Sequence, residues 1–188
     1  MSISLSGGWG AGYTGGMIRE SFAGKLPTLN TPAYVADCAA LIGDVQLAPD
    51  SSVWHHATLR ADLAPIVIGR GSNIQDNACL HIDIDRGCYV GEHVTVGHGA
   101  ILHACTVEDD CLIGMGAIVL DGAVIGRGSV VGAGAVVTKG TVIPPCSMVL
   151  GIPGKVVKEL GAESIAANHA HAEQYIGFAR QFAEREQL

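Results

Sequence analysis

The chain predicts an all-β solenoid of hexapeptide repeats closed by a C-terminal helix. Three observations carry this: an aliphatic residue recurs every six positions, glycine is abundant while aromatics are scarce, and the last stretch switches to a three-and-four spacing. A period of six fits neither an α-helix nor a heptad. It fits a parallel β-helix, in which each repeat is a short strand and a corner and three repeats make one coil. With 26 Gly against three Phe, two Trp and four Tyr, the core must be thin and built from Val, Ile, Leu and Ala.

Residues 1–33 form a Gly-rich segment that includes Gly7, Gly8, Gly10, Gly12, Gly15 and Gly16. Up to about residue 25 it has neither a helical nor a strand pattern, so it is expected to be mobile or ordered only against a neighbour. The solenoid is assigned to residues 34–160. Its aliphatic residues run Leu47, Val53, Leu59; Ile68, Ile74, Leu80; Val90, Val96, Leu102; then from Val107 through Ile113, Val119, Ile125, Val131, Val137 and Ile143 to Val149. Two corners carry insertions, three residues between Leu59 and Ile68 and four between Leu80 and Val90. Ile143-Pro144-Pro145 and Ile152-Pro153-Gly154 punctuate the last coil. Residues 161–188 make the terminal segment, where Ala172, Tyr175, Ile176, Ala179, Phe182 and Ala183 give a helix lying along the solenoid.

The formal charge of -7, with few and scattered Lys and Arg, excludes a nucleic-acid partner. No uninterrupted apolar run is long enough for a membrane span, and no basic-then-apolar leader opens the chain, so a cytoplasmic protein is expected. The six cysteines lack a C-x-x-C spacing and are read as structural thiols of a reducing compartment.

Coils stack at about 4.8 Å, so residues roughly eighteen apart become neighbours on one face. If Leu59, Leu80 and Leu102 point inward on successive coils, the residues after them, Arg60, His81 and His103, point outward in one column. His81 and His103 are 22 positions apart, one coil plus the four inserted residues, and both can reach one metal ion. His98 belongs to the preceding repeat and sits near a corner of another face, where it can complete the pair of a neighbouring subunit. This predicts metal sites shared between chains, three of them in a closed homotrimer. Three imidazoles with an open fourth position are the ligand set of a catalytic zinc, and iron or cobalt suits the same nitrogens. Asp76 lies one coil from His98 at the same place in its repeat, and with Gln75 it can hydrogen-bond a ligand's second nitrogen or a bound hydroxide. Arg60 and Asp62 read as an ion pair at a subunit contact. His55, His56 and His93 have no partners in the pattern, and His169 and His171 read as solvated.

Taken together, Leu59-Arg60-Ala61-Asp62, Asn73-Ile74-Gln75-Asp76-Asn77, His81, Gly97-His98-Gly99 and His103 resemble the gamma-class carbonic anhydrase family, trimers of left-handed β-helices, over the chain from about Tyr34 to the terminal helix. The resemblance implies the left-handed sense of the coil. It also implies His81 and His103 as the metal pair, His98 as the donated ligand, Gln75 with Asn73 as the groups orienting the hydroxide, and Arg60 with Asp62 as the intersubunit pair. The implied activity is zinc-dependent, reversible hydration of carbon dioxide to bicarbonate by metal-bound hydroxide at a subunit interface. In carbonic anhydrase the zinc-bound water has a pKa of about 7, and the resemblance implies the same for this site. Two departures mark a short-loop branch: Leu63 follows Asp62 where a glutamate is common, and the loop after His81 spans only about residues 82–88, with no clear shuttle glutamate unless Asp83, Asp85 or Glu92 substitutes. Tyr175 matches a tyrosine common in that branch and is expected to overhang the site. The alternatives are an acyl-CoA-dependent hexapeptide-repeat acyltransferase, which usually adds a loop or domain over its acyl donor, and a metal-stabilised trimeric scaffold with little catalysis.

Overall fold

The computed structural model describes residues 17–185 and consists of a parallel β-solenoid followed by one helix. The Gly-rich run before residue 17 and the last three residues of the expected helix lie outside the described residues.

Inward aliphatic residues stack in three columns, as the period of six requires. On the first face Leu41, Leu59, Leu80, Leu102, Val119 and Val137 are successive register partners. The second carries Leu47, Ile68, Val90, Val107, Ile125 and Ile143. The third carries Val35, Val53, Ile74, Val96, Ile113, Val131 and Val149. Apart from Val35 these residues are buried. Each contributes about 1.5–3 kcal/mol of apolar burial. Because strands of two or three residues cannot hold together alone, the columns are what hold the coils in register.

Each corner needs one residue in the left-handed region, which Gly, Asn, Asp and His enter most easily. One corner column runs His56, Asn77, Gly99 and Gly116; a second runs Asp50, Gly71, His93, Asp110, Gly128 and Cys146; a third runs Ala104, Gly122 and Gly140. The residue just before each of these stands outward, so side chains one coil apart meet along each corner.

The two insertions are accommodated without breaking the columns. Thr58–Ile68 is one bent strand whose two ends pair with different neighbours, Cys79–His81 and Cys88–Val90. Its extra residues bulge opposite Gly43, where a Cβ would collide with the Ala61 carbonyl. The second insertion folds into a small hairpin closed by mutual backbone bonds between Asp83 and Arg86.

The N-terminal segment departs from the sequence reading. Ile18–Glu20 and Thr28–Leu29 are strands in parallel register with Ala40–Leu47, so ordered wall begins before Tyr34. The exposed Ile18–Glu20 is held by its backbone ladder, not by a buried side-chain pattern, which is why periodicity missed it.

The helix, Glu163–Arg185, packs on the third face through Ala172, Ile176 and Ala179. The scarce aromatics gather at this contact: Trp54 meets Tyr34, Phe182 and Tyr175 with ring centroids 5.3, 5.2 and 5.8 Å away. Among the described residues, no helix is long and apolar enough to cross a membrane.

Candidate metal centre

The outward column is present as expected. Arg60 pairs in register with His81, and His81 with His103. Nδ1 of His81 lies 3.1 Å from Nε2 of His103. That is close to the edge, about 3.3 Å, of a tetrahedron with zinc–nitrogen bonds of about 2.0–2.1 Å.

The other nitrogen of each ring faces a carboxylate. Nε2 of His81 is 3.3 Å from Oδ1 of Asp62, while Asp62 Oδ2 is paired to Arg60. His103 Nδ1 is hydrogen-bonded to Asp121, whose second oxygen takes Lys139. Burial lowers the His81 pKa, and the Arg60 charge lowers it further against the pull of Asp62, so the ring is neutral at pH 7. Burial would raise the Asp62 carboxyl, but Arg60, a backbone N–H and His81 together hold the group below the usual range. Asp121 is likewise held low, first by the hydrogen bond from Lys139 and despite some burial. In the tautomers that give each ring's N–H to its carboxylate, the bare nitrogens of His81 and His103 are the two that lie 3.1 Å apart. Two acceptors facing each other call for a cation, and carboxylate-buttressed imidazoles are how proteins fix histidine as a metal ligand.

His98 sits on a different corner, in a column with His55 and Asp76. Asp76 Oδ2 is 2.9 Å from Nδ1 of His98, and its Oδ1 is 3.4 Å from Nδ1 of His55. Asp76 thus stands between two histidines and close to Nδ1 of His98, with Nε2 of that ring left over. Within one chain His98 does not complete the pair: among the described residues, the triad of close donors is a different one, His93, His169 and Glu173.

Beside His98 a cavity of about 460 Å³ is lined by Gln75, Thr95, Met115, Met148, His171 and Tyr175, among others. Gln75 and Asn73 are almost fully buried yet polar, and their bonds form a chain. Gln75 Nε2 donates to Asn73 Oδ1 at 3.1 Å, and Asn73 Nδ2 donates to Thr95 Oγ1 at 3.0 Å. The Thr95 hydroxyl reaches His171 Nδ1 at 3.0 Å. With its amide nitrogen committed, Gln75 offers the cavity an acceptor. Tyr175 stands in the cavity wall; burial first, then Asp76, raises its pKa, so the phenol stays a neutral donor.

Several histidines differ from their sequence reading. His171 is bonded to Thr95 rather than solvated, and His169 is bonded to Asp110 and stacked on His93 at 4.0 Å. His55 has both Asp76 and the aromatic cluster as partners. Of the shuttle candidates, Asp83 and Asp85 line a cavity of about 560 Å³ that also touches Asp121, whereas Glu92 stands on the corner that carries His93. Asp121 escaped the sequence reading although it lies eighteen residues after His103, one coil away. The spacing from Leu102 to Val107 is five, so counting along the strand points to Leu120 while the corner selects Asp121. All six cysteines are free thiols; burial pushes Cys111 up to about 12.

The family described as Bacterial transferase hexapeptide (six repeats) matches residues 104–139. The chain is 51% identical over 142 residues to the "Probable carbonic anhydrase" of Methanocaldococcus jannaschii, covering 76% of this chain and 89% of that protein. It is 40% identical over 162 residues to Gamma carbonic anhydrase 2, mitochondrial, of Arabidopsis thaliana, covering 83% of this chain and 58% of that longer protein. Among solved structures, a hexapeptide transferase family protein from Anaplasma phagocytophilum superposes with a TM-score of 0.83 at 36% identity, covering 88% of this chain and 98% of that one. With the repeat fold, the histidine column and these relatives in agreement, the chain belongs to the gamma carbonic anhydrase family of hexapeptide-repeat proteins.

Proposed function

We propose that the protein is a homotrimeric, zinc-dependent carbonic anhydrase whose metal is held by His81 and His103 of one subunit and His98 of the next. The observation that carries this reading is the pairing of all three imidazoles with carboxylates, His81 with Asp62, His103 with Asp121 and His98 with Asp76. A divalent ion in that set would supply Lewis-acid activation of water at neutral pH. The chain's own residues do the rest. The three carboxylates would each accept one ring N–H, which selects the tautomer whose other nitrogen is the donor and keeps the rings aimed. Gln75, fixed through Asn73 and Thr95, offers an acceptor that orients the attacking water, and the Tyr175 phenol can donate to the developing bicarbonate. The apolar wall of Met115, Met148 and Leu150 suits carbon dioxide, which carries no charge to hydrogen-bond. Iron or cobalt would satisfy the same donors. Six free thiols agree with a reducing, cytoplasmic setting.

The test is metal content per chain together with carbon dioxide hydration, for wild type and His81→Ala, prepared without oxygen. The variant is expected to bind one metal equivalent per chain fewer than wild type, and to lose activity with it. Metal without hydration would favour a scaffold, and hydration undiminished in His81→Ala would overturn the assignment. The acyltransferase reading draws on the relatives' names, and it predicts acyl-CoA turnover that survives metal removal.

A further inference from the structure

A second group of ligand-type side chains stands on the corner that carries neither His98 nor the His81–His103 pair. His93 comes from the solenoid; His169 and Glu173 come from successive turns of the helix. Their donor atoms all lie within 4.8 Å of one another. Nε2 of His93 is 3.4 Å from Oε1 of Glu173, and Nε2 of His169 is 3.9 Å from the same oxygen. Ligand edges of about 3.3 Å around a zinc-sized ion lie within a small rotation of Glu173, which is exposed and free to turn.

The surroundings hold the donors in place. Asp110, only 2% exposed, accepts from Nδ1 of His169 at 2.9 Å, leaving Nε2 of that ring as a lone pair turned toward Glu173. Asp110 is itself fixed by the Arg127 guanidinium and sits on the coil next to His93, whose backbone N–H is tied to the Arg70 carbonyl. Below His93 the corner residue is Gly71, where a Cβ would press on the His93 ring at 2.8 Å, so the glycine gives the imidazole its place. The Asp110 to His169 pair repeats the buttressing seen for the ligands of the proposed catalytic set.

We propose that His93, His169 and Glu173 form a second site for a zinc-class divalent cation, one that clamps the C-terminal helix to the solenoid. The site lies within a single chain, so it does not depend on the carbonic anhydrase reading. The ion joins residues from two elements and fixes the helix segment carrying His171 and Tyr175. A fourth position is left for water.

The test uses zinc alone as the probe on the full chain. In a His81→Ala/His103→Ala background, equilibrium dialysis with metal analysis is expected to retain one zinc per chain. Adding His93→Ala and Glu173→Gln is expected to weaken that zinc about tenfold or more. Zinc is also expected to slow hydrogen exchange of the helix amides of residues 163–185 in the background and not in the quadruple variant. Should the background not fold, His93→Ala/Glu173→Gln in the otherwise wild-type chain is expected to bind one zinc fewer than wild type. A folded background that binds no zinc, or bound zinc unmoved by the His93 and Glu173 substitutions, overturns the proposal. None of these readouts requires hydration activity.

Discussion

Asp121 accepts a hydrogen bond from Nδ1 of His103 across one coil of the solenoid, and its other oxygen pairs with Lys139 on the next coil. The carboxylate is therefore shared between His103 and a lysine, and it fixes which nitrogen of the His103 ring carries the lone pair. Removing it frees the ring to turn and lets the other tautomer form.

Asp121→Ala is expected to weaken metal binding at the His81–His103 column about 10–100-fold while leaving the fold intact. Chelator competition against wild type measures this. Equal affinity in the two proteins would remove Asp121 from the site.

Gln75→Ala separates positioning from metal holding. Gln75 touches Asn73 rather than any of the three histidines. Metal content should stay at the wild-type level while the hydration rate falls about 10–100-fold. A parallel loss of metal would place Gln75 in the support of the ligands instead.

Asp110 governs part of the acid stability. Burial would raise its carboxyl, but hydrogen bonds from His169 and Arg127 outweigh that and hold it below its ordinary value. A group lowered on folding contributes stability that is fully present above its unfolded pKa, about 3.9, and lost as pH falls through the folded value. Asp110→Asn should lose about 1–3 kcal/mol at pH 7 and less below pH 3–4, so its acid limb should be flatter. Urea midpoints at pH 7 and pH 3 test this, and an unchanged slope would contradict it.

The columns predict where the chain resists change. Leu80 is fully buried between Leu59 and Leu102, and Leu80→Ala should cost about 2–5 kcal/mol. Substitution of Ile101, half-exposed on the His103 strand, should cost little in the lone chain, yet Ile101→Asp should dissociate the proposed trimer. Denaturation and sedimentation of the two variants distinguish core from contact.

Much of this architecture was written in the period of six, because burial of one aliphatic residue per repeat decides where every strand lies. The stacking of Arg60, His81 and His103 followed from counting coils across a visible insertion. The sense of the coil is not contained in a period and came from the resemblance. What pattern reading missed was set by the corners and by tertiary contact. Asp121 fell out of the count because one repeat is a residue short. Ile18–Glu20 is held by backbone pairing and by the Arg19 guanidinium on the Pro27 carbonyl, with no buried side chain to mark it. His169 and His171 gained partners only once the helix was laid on the third face, and no spacing within the helix announces Asp110 or Thr95.

The central claim is that each metal site takes ligands from two chains, and subunit mixing tests it most directly. His81→Ala and His98→Ala chains, each inactive alone, are unfolded together and refolded as mixed trimers. A His81→Ala chain still donates His98, and a His98→Ala chain still carries the His81–His103 pair, so random mixing should restore about a quarter of the sites. Recovery of hydration, and of the metal lost through the two substitutions, to about that fraction of wild type is the predicted result. Mixed trimers that regain neither that metal nor activity would contradict a site shared between subunits.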